Sequence, residues 1–253
     1  MSPAQEKKET VKIMKKIIAA LAVLLGLVSC QVEKDLSIIV QEMMSVQSGL
    51  LVNDLGVKYS IKDQSMASKI LAKERVFLSG TAVPSETSGY DYLLTPYDWY
   101  EVIIKDCVKR STVEDVDETL GTSPAGISHA WTEGNYVNLL ASISYDATAD
   151  DDDWGCEINL MFDDERSDSR NLYFVLKNKQ TGLTWEDEEL DLSEVGFAYQ
   201  YLSFPYTQYL EPGFKGELTF HLEWEWFDPS PYTGEVPYRT VSAKQGNYTI
   251  SIP

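Results

Sequence analysis

From about residue 40 to the C-terminus, apolar side chains recur mainly at every second position, and turn residues break the runs at short intervals. That period belongs to half-buried strands, not to helices. The clearest case is Glu217–Phe227, where Leu218, Phe220, Leu222, Trp224 and Trp226 alternate with Glu217, Thr219, His221, Glu223 and Glu225. Such a strand has one apolar and one polar face. Leu50–Val52 and Val57–Ile61 flank Asn53-Asp54-Leu55-Gly56, residues that tolerate positive φ and predict a hairpin turn. Residues 64–72 predict one short helix, and Arg75–Val83, Tyr90–Leu94 and Trp99–Cys107 predict strands. Residues 108–126 are polar, with Glu114, Asp115, Asp117 and Glu118 followed by Gly121 and Pro124, and mark a domain boundary. Beyond them Tyr136–Tyr145, Cys156–Phe162, Asn171–Lys177, Val195–Phe204, Glu217–Phe227 and Tyr248–Ile252 read as strands. The pattern predicts an all-β chain: a small OB-like barrel over 48–115, then an antiparallel β-sandwich over 116–253.

The first residues follow another rule. Lys15 and Lys16 precede an apolar run from Ile17 to Val28. This run is shorter than the ~20 residues that span a bilayer. A charged start, a short apolar core and a small residue before a cut describe a secretory signal. Leu27-Val28-Ser29-Cys30 resembles the bacterial lipobox, which implies lipidation of the Cys30 thiol and cleavage in front of it. Residues 1–29 are thus read as a signal peptide with its true start at Met14, and 30–47 as a tether and first strand. The stretch Gln31-Val32-Glu33-Lys34-Asp35 loosely resembles the acidic tract that sends some outer-membrane lipoproteins to the cell surface; a plain solvated tether reads equally well. The expectation is an outer-membrane lipoprotein of the cell envelope, attached to the membrane through Cys30.

Composition narrows the choice of partners. Hydrophobic residues make up 43% of 253, with 15 Tyr and 6 Trp, which is rich enough to build a core. The formal charge is −19, and removing residues 1–29, with five Lys and two Glu, takes it to −22. A chain this acidic repels phosphate, so nucleic acid is excluded, as is electrostatic docking on anionic membrane.

Several segments together resemble the NigD-like lipoproteins. They are Leu50–Gly56 with Arg75-Val76-Phe77; Leu120–Pro124 leading into Trp131-Thr132-Glu133-Gly134-Asn135-Tyr136-Val137-Asn138-Leu139; and Ile158-Asn159-Leu160 followed by Leu172–Leu176. The similarity covers nearly the whole mature chain and departs from the family pattern in the acidic insert at 146–153. It implies an N-terminal OB-type domain and a C-terminal β-sandwich, with no established activity. The family takes its name from a gene beside a bacteriocin locus, an association that suggested an immunity role.

No residue set announces a reaction. His221, Glu223 and Glu225 share a strand face at ~7 Å steps, but alternation alone explains them and no metal site is expected. Asp146 and Asp150–Asp153 form a dense acidic loop whose spacing does not match an EF-hand, and a solvated loop tip is the preferred reading. Cys107 and Cys156 remain after Cys30 is lipidated; they form either a disulfide or two separate buried thiols, the second being favoured. No nucleophile elbow, phosphate loop or CxxC is present, so neither catalysis nor a cofactor is expected. Trp99, Trp131, Trp154 and Trp185 are the aromatics named as ligand contacts, with core filling as the competing reading. The leading expectation is a binding or protective envelope lipoprotein, immunity-like, with a protein partner; the alternative is a glycan-binding surface lipoprotein tied to polysaccharide uptake. An aromatic row exposed on one sheet face would favour the glycan.

Overall fold

The computed structural model describes residues 37–148, 155–180, 195–227 and 241–252. Cys30, the signal segment, Asp150–Asp153, Trp154 and Trp185 lie outside the described residues. The chain from Ile39 onward forms one compact unit. It is all-β and contains a closed five-stranded barrel with further strands in a sheet.

The barrel is built from β1 (Ile38–Gln47), β2 (Leu50–Asn53), β3 (Lys58–Ile61), β4 (Arg75–Pro84) and β5 (Tyr92–Ile104). Neighbours run β3-β2-β1-β4-β5, and a parallel β3–β5 pairing closes the ring. Closure leaves no free edge among these strands. The turn after β2 forms as expected: Asn53 Oδ1 accepts from the Leu55 and Val57 amides at 3.1 and 2.8 Å. Helix α1 (Gln64–Ile70) joins β3 to β4, with the Asp63 carboxylate accepting from the Ser65 and Met66 amides at its N-terminus. Ala67 and Ile70, one helical turn apart, join Val40, Met44, Leu51, Tyr59, Ile61, Val76, Leu78, Ala82 and Leu94 in the barrel core.

Tyr90–Leu94 and Trp99–Cys107 prove to be parts of one strand. Pro96 lies within that strand, where the β4–β5 register shifts at Ser79/Gly80, and this bulge accommodates the proline. Gly80 is required there, because a Cβ would lie 2.6 Å from the Thr95 carbonyl oxygen.

The remaining strands are β6 (Val108–Lys109), β7 (Ala125–Glu133), β8 (Tyr136–Asp146), β9 (Cys156–Phe162), β10 (Asn171–Gln180), β11 (Val195–Pro205), β12 (Gly216–Phe227) and β13 (Val241–Ile252), with a short helix α2 (Val116–Leu120) between β6 and β7. Their core contains Leu139, Ala141 and Ile143 of β8, Phe174 of β10, Leu202 and Phe204 of β11, and Leu218, Phe220 and Leu222 of β12. Most pairings are antiparallel, as expected, but β5–β11, β10–β12 and β6–β9 are parallel. Long connections between the paired strands permit this. The β5–β11 joint carries the barrel wall directly into the second sheet. Strand β7 was not foreseen, because a register shift between Ile127 and His129 breaks its alternation.

Candidate functional site

Two constellations stand out where barrel and second sheet meet. The first is buried. Arg75, at the start of β4, has no solvent exposure. Its Nη1 donates to Asp54 Oδ1 at 2.9 Å and to Ser45 Oγ at 2.8 Å, and its Nη2 donates to Asp54 Oδ2 at 2.5 Å. Nε reaches Ser203 Oγ on β11 at 3.0 Å, and the guanidinium lies 4.5 Å above the Tyr136 ring on β8. A fork-to-fork pair is the geometry that best compensates two desolvated charges. Ser203 also donates to Asn138 Oδ1 at 2.6 Å. Gly134, in the β7–β8 turn, makes room for the clamp: a Cβ there would fall 2.9 Å from Asp54 Cβ. Beside it Glu42 accepts from Tyr59 Oη at 2.8 Å and from Asn53 Nδ2 at 2.7 Å. Burial raises the Glu133 carboxyl above its usual range, and the charges of Asp54 and Glu42 raise it further. This network ties three barrel segments to two strands of the second sheet.

The second constellation is exposed. On β11 the even positions Leu202 and Phe204 enter the core, so Phe197, Tyr199 and Tyr201 face the other way. Tyr199 is 69% exposed, Tyr100 50% and Phe197 48%, which is unusual for rings this large. Parallel pairing sets Tyr201 opposite Val102, two positions from Tyr100, and Tyr100 is opposite Phe77 of β4. Phe77 stacks on Tyr201 at 4.4 Å and 10°, and Tyr100 tilts against Tyr201 at 5.5 Å. At the other end Phe197 meets Trp226 edge-on at 6.3 Å. Trp226 lies over Gly126, where a Cβ would come within 2.9 Å of the indole. Polar groups flank the rings. Ser142 is opposite Tyr199, and its hydroxyl bonds that of Ser128 at 2.6 Å. Exposed His129 is opposite Leu140, itself opposite Tyr201. The neighbouring Asp98 carboxylate lifts the Tyr100 pKa above the usual phenol value.

The residues named from sequence fall elsewhere. Trp99 packs against the barrel core. Trp131 is half-buried on β7, opposite Asn138. Cys107 and Cys156 are not disulfide-bonded. The β6–β9 register pairs Val108 with Met161, which sets Cys107 about four strand steps, or ~13 Å, from Cys156, beyond the reach of a bridge. Burial pushes the Cys107 thiol up to about 12. His221 and Glu223 are engaged: the ring nitrogens lie 2.9 and 3.2 Å from the Asn247 and Asn171 amide oxygens, and Glu223 accepts from both terminal nitrogens of Arg166. The spacing Phe197-x-Tyr199-x-Tyr201 was a usable signal for the exposed rings; nothing in the sequence marked Arg75 as buried.

No protein-family profile matches the chain, and no curated protein matches it. Solved structures do. A DUF1344 protein of unknown function from Bacteroides vulgatus is 14% identical, with a TM-score of 0.53 over 85% of this chain and 92% of that one. A NigD-like immunity protein from Bacteroides caccae is 13% identical, with a TM-score of 0.53 over 85% and 95%. A candidate lipoprotein from Bacteroides fragilis is 12% identical, with a TM-score of 0.50 over 86% and 97%. The shared fold agrees with the family resemblance read from the sequence. None of the three is described as an enzyme.

Proposed function

We propose that this chain, which has the fold of a NigD-like immunity protein and of a candidate lipoprotein, is a non-catalytic binding protein of the cell envelope. Lipid on Cys30 holds it at the outer membrane, and the face formed by β5 and β11 receives its ligand. The observation that carries this reading is the clustering of exposed rings on one sheet face. Leaving a large apolar side chain in water forgoes ~1.5–3 kcal/mol that burial would supply. Several such rings side by side are accounted for by a partner that covers them. The immunity reading, in which the partner is a toxin, draws support from the shared fold.

Two measurements test the proposal. Cys30→Ser is expected to release the protein from the membrane fraction in folded form, and retention in that fraction overturns the anchor. Tyr100→Ala combined with Tyr199→Ala is expected to leave the melting temperature almost unchanged, since exposed substitutions usually cost within ~0.5 kcal/mol. A large drop would make the rings structural and end the reading of this face as a binding surface.

A further inference from the structure

We propose that the aromatic face is a platform for a neutral polysaccharide chain, an inference that rests on reading this face as a binding surface. Its shape is the first argument. Phe197, Tyr199 and Tyr201 stand at alternate positions of one strand. Two strand steps are ~7 Å, so the three rings mark a line of ~13 Å. Tyr100 and Phe77 flank Tyr201 on the β5 side of the row, and Trp226 adjoins Phe197. The line lies open on the sheet, which suits an extended polymer passing over it more than a small molecule that must be enclosed.

Chemistry is the second argument. A pyranose ring has a C–H face and a rim of hydroxyls. The C–H face needs a flat apolar partner, and the rim needs donors and acceptors close by. The row supplies both: exposed aromatic surface from Tyr199, Tyr100 and Phe197, and polar groups from Asp98, Ser142, Ser128 and His129 beside them. A specific protein interface covers ~800 Å² on each side with a core depleted of polar side chains. Here Ser142 stands opposite Tyr199 at the centre of the row and bonds the exposed Ser128 hydroxyl.

Charge is the third argument. The chain carries −19, and Asp98 sits at the row itself. An anionic glycan would be repelled at long range and again at contact, so the polymer is uncharged. The rings are also held in place before any ligand arrives. Phe77 backs Tyr201, and the missing side chain at Gly126 seats Trp226. Little side-chain freedom is left to lose on binding.

Affinity electrophoresis of the mature lipidated protein, in gels containing a mild non-ionic detergent, tests the proposal. The gels contain one polysaccharide each: amylopectin, yeast mannan, galactomannan, mixed-linkage β-glucan or arabinoxylan, and the anionic polygalacturonate and alginate. Retardation by at least one neutral polymer and by neither anionic one is expected. Tyr199→Ala is expected to weaken the retarding interaction about tenfold, the upper range for loss of one well-placed aromatic contact. Tyr199→Phe retains most of it, and Leu55→Ala, at an exposed position in the β2–β3 turn, changes nothing. The proposal falls if no neutral polymer retards the protein, if the anionic polymers retard it as strongly, or if Tyr199→Ala binds like wild type. Sedimentation velocity separates this failure from that of the parent reading. A wild-type dimer dissolved by Tyr199→Ala, with no glycan bound, would leave a binding surface whose occupant is a second copy of this chain and would overturn the polysaccharide.

Discussion

Removing the Asp54 carboxylate isolates what the buried clamp contributes. In Asp54→Ala the Arg75 guanidinium stays where no water reaches it, with Ser45, Ser203 and the Tyr136 ring as its close neighbours. None of these carries a charge, and Glu133, whose carboxyl is held above its usual range by burial, is the acid left within electrostatic reach of Arg75. Leaving one member of a buried ion pair without its partner costs ~3–5 kcal/mol. For a unit running from Ile39 to Pro253, each kcal/mol moves the melting temperature by ~2–4 °C, so a fall of about 6–20 °C is expected. Calorimetry and urea denaturation measure it, with an unchanged m-value showing that the cost lies in stability alone. The double variant Asp54→Leu/Arg75→Met removes both charges and keeps the volume apolar. It is expected to recover at least ~2 kcal/mol relative to the single variant, because replacing a buried pair by packed apolar groups is often neutral. An Asp54→Ala protein melting within ~2 °C of wild type would refute the reasoning, since a charge stranded in a dry site cannot be that cheap. A double variant that loses the sum of both single effects would refute it as well.

Other expectations follow from single residues. Burial and the acidic neighbours raise the folded-state pKa of Glu133 above its ordinary 4.5, so the folded state holds this proton longer than the unfolded one. Stability is therefore expected to fall as pH rises from about 4.5 through the raised value, and Glu133→Gln should remove that component of the urea-midpoint profile; an unchanged profile refutes it. Gly121 ends α2 at φ +83°, and a Cβ there would lie 2.3 Å from the Asn178 carbonyl oxygen, so Gly121→Ala should destabilise by more than ~2 kcal/mol in denaturant titration. Because burial holds the Cys107 thiol at about 12, a disulfide reagent at pH 8 should modify it much more slowly in the native protein than in urea, and equal rates would show the site to be open.

The sequence by itself determined the all-β class, the Asn53–Gly56 turn, helix α1 and most strands of the second half. These rest on local rules. Alternation fixes which side chains share a face, and Asn, Asp and Gly set where the chain turns. Its errors came where two strands had to be seen together. Tyr90–Leu94 and Trp99–Cys107 read as two strands, and only the bulge of β5 against Gly80 of β4 shows how one strand runs through Pro96. Trp99 packs in part against the barrel core, while its neighbour Tyr100 stands outside, a division set by the register. Tertiary structure alone decided that Arg75 would be buried, because its partners lie 21 residues away at Asp54 and 128 away at Ser203. The exposed row has the same origin: Phe197, Tyr199 and Tyr201 were legible as one strand face, but that this face would meet Tyr100 and Phe77 followed from the β5–β11 pairing. Strand periodicity encodes a face, whereas the choice of neighbouring strand depends on long-range burial and pairing energies that no window of sequence contains.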